Sequence, residues 1–183
     1  MAPTDSNWKI DSSWSLFLDR DGVINERLFG AYVLSKKDFI YKDGVLEISA
    51  ELFSRFSRVF VVTNQQCIGK GLVTSMVIDE LHQWMVSEFR KFGANINKVY
   101  VAPEINNAAS TRRKPNPSMG FEAKRQYSDI DFSKSIMVGD TDSDIEFGKN
   151  LGMKTVLVRS KEQCNSLPDI KVSSIEELNR ILQ

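Results

Sequence analysis

A chain of 183 residues with 42% hydrophobic content supplies one full core and leaves little room for a second. Its 24 basic and 24 acidic side chains cancel, so no whole-molecule field draws it to nucleic acid or to an anionic membrane, and any anion binding must be local. The two cysteines, Cys67 and Cys164, match no CxxC or zinc-ribbon spacing, and no window reaches the apolar length of a membrane span; the expectation is a soluble, cytoplasmic protein without a disulfide.

Met1 to Ser13 is polar, carries Asp5 and Asp11, and lacks the apolar stretch of a signal peptide. It reads as an amino-terminal arm (1–13), pinned by Trp8 and Trp14 to a single domain (14–183). The run Ser15 to Leu18 predicts a first buried strand. Val45 to Phe56 predicts a helix with Val45, Ile48, Leu52 and Phe56 on one face, and Arg58 to Val62 a second strand. A longer helix is predicted over Ser75 to Phe92, N-capped by Thr74, with Ile78, Leu81, Met85 and Phe89 turned inward. His82, the only histidine, flanks that apolar face and is expected at the helix surface rather than in catalysis.

Val99 to Val101 predicts a third strand, and Ala102 to Asn116 is the longest irregular segment. Asn116-Pro117 then announces a helix, a capping residue followed by proline at the first helical position. Ser135 to Val138 and Thr155 to Val158 predict two more strands, separated by a helix from about Asp142 to Asn150 that stops at Gly152. The last helix begins at Ser174, which has capping-box spacing to Glu177, and presents Ile175, Leu178 and Ile181 to the body. Alternating strands and helices imply an α/β, Rossmann-like fold, a doubly wound parallel sheet covered on both faces.

Ligands of such a sheet sit outside the carboxyl ends of the strands. There the sequence reads Asp19-Arg20-Asp21-Gly22 after the first strand, Thr63-Asn64-Gln65-Gln66 after the second, and Gly139-Asp140-Thr141-Asp142-Ser143-Asp144 after the fourth, while Arg112-Arg113-Lys114-Pro115 follows the third. Carboxylates converging at strand ends repel one another, and a divalent cation between them relieves that repulsion. Mg2+ suits such a set, since it takes hard oxygen ligands and keeps waters plus a phosphate oxygen. Phosphoryl transfer asks for a metal, a lysine and a hydroxyl opposite the phosphoryl oxygens, which Asp19, Asp140, Lys114 and Thr63 fit; a carboxylate such as Asp19 can serve as nucleophile, and Asp21, two residues on, can act as acid and then base.

Asp19-x-Asp21-Gly22, Thr63-Asn64, Lys114-Pro115 and Gly139-Asp140-x-x-x-Asp144 resemble the four ordered motifs of the haloacid dehalogenase superfamily and together cover most of the domain. The resemblance implies that Asp19 is the nucleophile and a metal ligand, Asp21 the acid/base and a ligand through its backbone carbonyl, and Asp140 a further ligand. Thr63 and Lys114 would bind the phosphoryl group, and Asp144 would support the metal site from behind the direct ligands, orienting Lys114 or a metal-bound water. Neither interval between the motifs has room for a cap domain, so the site is expected to be open, with loops setting specificity. Asn64, Gln65, Gln66, Arg113 and Tyr32 are the candidate substrate contacts.

The fuller pattern, Asp-Arg-Asp-Gly-Val-Ile-Asn, Tyr32-Val33, Thr-Asn-Gln with Ile68-Gly69-Lys70-Gly71, and Arg-Lys-Pro-x-Pro, is similar to the capless branch of histidinol-phosphate and heptose 1,7-bisphosphate phosphatases. The segment after Thr-Asn-Gln favours the heptose side, which makes a small phosphorylated metabolite the expected partner and histidinol phosphate the alternative. A polynucleotide 3′-phosphatase ranks lower for want of a basic, aromatic-studded stripe, and an inactive binding module ranks lower because Asp19, Asp21, Lys114 and Asp140 are intact. Two departures stand out. Where the branch carries Cys-x-His and Cys-x-Cys zinc ligands, this chain has Ala102-Pro103-Glu104 and Ser110-Thr111-Arg112, so no zinc is expected; and Thr141 stands where the heptose enzyme has a lysine.

Overall fold

The computed structural model describes residues 8–106 and 112–182. Strands β1 (Ser15–Leu18), β2 (Arg58–Asn64), β3 (Lys98–Ala102), β4 (Ser135–Gly139), β5 (Lys154–Val158) and β6 (Ile170–Val172) form one sheet in the order β3-β2-β1-β4-β5-β6, every pair parallel. The chain winds from β1 outward to β3 and then returns to the other side of β1, so the strand order reverses between β1 and β4. That reversal opens a crevice at their carboxyl ends.

Alternation along each strand divides the core between the two faces of the sheet. Leu16, Leu18, Val59, Val61, Ile136 and Val138 point to one face. There they meet Leu52 of α1 (Ser49–Phe53) and Leu81, Met85 and Phe89 of α3 (Ser75–Lys91). Phe17, Phe60, Val62 and Met137 point to the other face, against Met119 and Ala123 of α4 (Ser118–Gln126) and Phe147 of α5 (Asp142–Leu151). Phe17 is fully buried and its ring centroid lies 5.0 Å from that of Phe60. Truncating such a residue to alanine costs about 3 to 5 kcal/mol.

The expected strands are all present, each within two residues of its predicted ends, and β6 is an addition, at three residues too short to carry a periodic signal. A further short helix, α2 (Gln66–Gly69), follows β2, and α6 (Ile175–Ile181) closes the chain. The predicted helix over 45–56 is a correction: only Ser49–Phe53 is helical, preceded by turns. Ser49 Oγ donates to the carbonyl of Leu46 at 2.6 Å, a local bond that competes with helix continuation, although Val45, Leu52 and Phe56 still face the core. Helix α4 starts at Ser118 rather than Pro117, and Asn116 Oδ1 accepts the Ser118 amide at 3.0 Å. Thr74 caps α3 as expected, accepting from the Val77 amide. Ser174 accepts from the Glu177 amide, but the Glu177 carboxylate takes the amide of Ser173, which shifts the reciprocal half of that cap by one residue. Trp14 is buried in the core and Trp8 packs against it.

Among the described residues no helix is long and apolar enough to cross a membrane.

Candidate active site

Asp19 follows β1 directly, and its amide donates to the carbonyl of Val138 at 2.9 Å, which locks the end of β1 to that of β4. Asp140, directly after β4, therefore faces Asp19 across the crevice. Asp144 sits on the first turn of α5, where its Oδ2 accepts from the amides of Asp140 (3.2 Å) and Thr141 (3.0 Å) and from Thr141 Oγ1 (2.6 Å). One carboxylate thus caps α5 and braces the loop that carries Asp140. Oxygens of Asp19, Asp140 and Asp144 lie within 4.8 Å of one another, and all three residues are buried.

Lys114 Nζ answers this negative charge, lying 2.8 Å from Asp19 Oδ1 and 2.6 Å from Asp144 Oδ1 and donating to the Val62 carbonyl at 2.6 Å. Burial opposes its charged form, yet Asp144 and Asp19 raise its pKa above the usual lysine value. Burial likewise opposes the charge on Asp144, but Lys114 holds that carboxyl below the ordinary carboxylate range. For Asp19 burial wins over Lys114 and pushes the carboxyl up to about 7. The backbone of Lys114 is fixed by Asn64, whose Oδ1 accepts the Lys114 amide at 2.9 Å and whose Nδ2 donates to the Lys114 carbonyl at 3.2 Å.

Gly22 turns the chain back over the site at φ +98°, and a Cβ there would stand 2.1 Å from Asp140 Oδ2. Only glycine satisfies both conditions. Behind it, residues 24–26 pair with 40–42 through Lys42 N to Ile24 O (3.0 Å) and Glu26 N to Ile40 O (2.8 Å), so Arg27 emerges from a fixed backbone. Its Nη2 lies 2.8 Å from the Asp21 carbonyl oxygen, 2.6 Å from Asp140 Oδ1 and 3.6 Å from Asp19 Oδ2, while Nε donates to Asp140 Oδ2 at 3.0 Å. Burial pushes Asp140 upward, and the Arg27 hydrogen bonds oppose that rise.

Asp21 lies at the rim with its side chain 20% exposed. Arg20 Nη2 donates to both of its oxygens at 2.9 Å, Asn25 Nδ2 to Oδ1 at 2.9 Å and Gln65 Nε2 to Oδ2 at 2.9 Å. Burial opposes the charge, but Arg20, Asn25 and Gln65 hold the carboxyl below its ordinary value. Gln65 Nε2 also reaches Thr63 Oγ1 at 2.8 Å, which ties the hydroxyl after β2 to the carboxylate after β1.

The expectation for His82 is corrected: the ring is 4% exposed, not on the helix surface, and its Nε2 lies 3.0 Å from Arg20 Nη1. Arg20 is itself 1% exposed and needs an acceptor for the nitrogen that Asp21 does not take, and a neutral imidazole on α3 supplies it. Burial, reinforced by Arg20, depresses the His82 pKa to about 3. Cys67 is buried in α2, with burial pushing its thiol up.

The candidate substrate contacts divide into two groups. Asn64 and Gln65 are spent on Lys114 and on Asp21 and Thr63, whereas Gln66, Arg113 and Tyr32 are partly exposed. Tyr32 Oη accepts from Lys70 Nζ at 2.8 Å, and burial lowers the pKa of Arg113. Ser110 and Thr111 lie outside the described residues, while Arg112 pairs with Glu122 and donates its amide to Glu104 Oε1 at 3.2 Å. Sequence reasoning missed Arg27 and the Arg20–His82 contact. The only signal for the latter was an arginine placed between two aspartates at a buried strand end.

A family model described as HAD-hydrolase-like matches residues 111–171. A protein of Campylobacter jejuni named D-glycero-alpha-D-manno-heptose-1,7-bisphosphate 7-phosphatase is 34% identical over 149 residues, 81% of this chain and 84% of its own length. A Burkholderia mallei protein of the same name is 36% identical over 79% of this chain and 78% of its own. A Helicobacter pylori protein named for the beta anomer is 34% identical over 81% and 85%. Among solved structures, the D,D-heptose 1,7-bisphosphate phosphatase from B. bronchiseptica, complexed with magnesium and phosphate, superposes with a TM-score of 0.81 at 25% identity, covering 92% of this chain and 97% of that one.

Proposed function

The chain belongs to the haloacid dehalogenase-like hydrolases and is a phosphatase, and on that premise we propose that it releases one phosphate, with Mg2+, from a sugar bisphosphate of the D-glycero-D-manno-heptose 1,7-bisphosphate kind. The observation that carries the reading is the convergence of Asp19, Asp140, Asp144 and Lys114 at the β1–β4 reversal, beside Asp21 and Thr63. Relatives named for the 7-phosphatase support hydrolysis at that position.

The donor set suits Mg2+, being hard oxygens of Asp19, Asp140 and the Asp21 carbonyl, with the Arg27 guanidinium already lying among them as a cation. Bound there, Mg2+ supplies positive charge opposite the phosphoryl oxygens. Lys114 and Thr63 hold the phosphoryl group. An Asp19 oxygen bonds to phosphorus as the bond from phosphorus to the sugar oxygen breaks, and protonated Asp21 gives its proton to that oxygen. In the second half Asp21 takes a proton from water as the water oxygen attacks phosphorus, which breaks the bond to Asp19 and frees phosphate. Asp21 is ionised in the resting geometry, and the negative charge of an arriving ester works to raise its pKa toward the acid role.

Asp144 positions Lys114 and the Asp140 loop. Gln66, Arg113 and Tyr32 face the sugar or its second phosphate, and the segment after β3 works without zinc, since Ala102, Pro103, Glu104 and Arg112 offer no cysteine or histidine. The free Cys67 and Cys164 suit a reducing cytoplasm.

The test is phosphate release from both anomers of the heptose bisphosphate, histidinol phosphate and a 3′-phosphorylated oligonucleotide, with and without Mg2+. Release without metal, or undiminished release by Asp19→Asn, sinks the mechanism. Faster turnover of histidinol phosphate or the oligonucleotide overturns the substrate.

A further inference from the structure

Arg27 belongs to none of the four motifs, yet a single nitrogen of it touches the oxygens proposed to hold the metal. Nη2 lies 2.6 Å from Asp140 Oδ1, 2.8 Å from the Asp21 carbonyl oxygen and 3.6 Å from Asp19 Oδ2. The side chain is 26% exposed, so the guanidinium has a way out to solvent, whereas the Asp140 side chain it binds has none. It follows directly on the pairing of residues 24–26 with 40–42, which fixes the point from which the side chain departs.

We propose that Arg27 and Mg2+ exclude one another from a single seat: the guanidinium balances the carboxylates until the ion arrives, and ion binding drives it out to the open mouth. This rests on the metal reading above. Two cations at such short range repel, and the same oxygens cannot saturate both. The apparent affinity for Mg2+ is then the intrinsic affinity reduced by the fraction of molecules in which Arg27 has left. A charge-assisted, bidentate contact of this kind corresponds to a reduction of about ten- to a hundredfold.

Two measurements on the full chain test it, with Mg2+ alone as the probe. In calorimetric titration Arg27→Gln is expected to bind Mg2+ about tenfold or more tightly than the wild-type protein; equal or weaker binding overturns the inference. In 15N-labelled wild-type protein the Arg27 Nε–H, held on Asp140 Oδ2 without metal, is expected to lose its protection from solvent exchange as Mg2+ saturates. Persistent protection at saturation overturns the inference even if the affinities differ, because removing a nearby positive charge would by itself favour a cation. Asp140→Asn separates the two readings. If the wild-type protein takes up no Mg2+, the metal reading falls and this one with it; if it binds Mg2+, loses it in Asp140→Asn and is unmoved by Arg27→Gln, only the Arg27 inference falls.

Discussion

The ammonium of Lys114 lies 2.6 Å from Asp144 Oδ1, joining a side chain that arrives after β3 to one on the first turn of α5. Both side chains are 1% exposed, and the same nitrogen also holds Asp19. Lys114→Met therefore strands two buried carboxylates, and urea unfolding is expected to show a loss of about 3 to 5 kcal/mol. Adding Asp144→Asn removes one of those charges, so the double variant should lose less than the sum of the two single losses. Strict additivity would mean that the pair is not coupled.

Asp21→Asn keeps the shape of the rim but removes the group proposed to transfer the proton. Phosphate release is expected to fall by about two to four orders of magnitude. Arg20 loses its charged partner and keeps only His82 and the amide, so the melting temperature should also drop, by the equivalent of about 1 to 3 kcal/mol. A variant that melts lower yet turns over normally would remove Asp21 from the chemistry.

His82 makes stability depend on pH. Its folded pKa, near 3, lies below its ordinary value of 6.5, so between those values the unfolded chain binds a proton that the folded chain refuses. The contribution is whole above pH 6.5 and is lost as pH falls toward 3, by up to about 1.4 kcal/mol for each unit. His82→Gln leaves Arg20 an acceptor and removes the titration. Chemical denaturation at pH 7, 5.5 and 4.5 should therefore show a shallower decline in the variant than in the wild-type protein.

Gly22→Ala puts a methyl group 2.1 Å from Asp140 Oδ2 at a φ that disfavours every other residue. About 1 to 3 kcal/mol of strain is expected, and the displaced Asp140 should abolish the rise in melting temperature that Mg2+ is expected to give the wild-type protein. Thermal melts with and without Mg2+ check both effects.

The convergence of the candidate site residues was legible because the doubly wound topology sends polar residues to strand ends, where Asp19, Thr63 and Asp140 stand out against apolar runs. Lys114 was legible through its neighbour Pro115 and the three other motifs. Arg27 was not, since it lies in an aperiodic loop and meets Asp140 across 113 residues of sequence. His82 was misplaced for a related reason: helical periodicity ranks a polar residue beside an apolar stripe as exposed, and only the buried Arg20, 62 residues away, reverses that ranking. The short β6 escaped because three residues are too few to carry a periodic signal, and the turns before α1 because local hydrogen bonds such as Ser49 to Leu46 compete with the periodic pattern.

The carboxamide of Asn64 grips both main-chain groups of Lys114, doing for this loop what a neighbouring strand does for a ladder. The end of β2 thereby helps to set the position of the lysine. Changes in the loop sequence between β3 and Lys114 are then expected to leave that grip in place. If the loop sets the substrate range, as proposed, grafting it among relatives should transfer selectivity while leaving phosphate release in place.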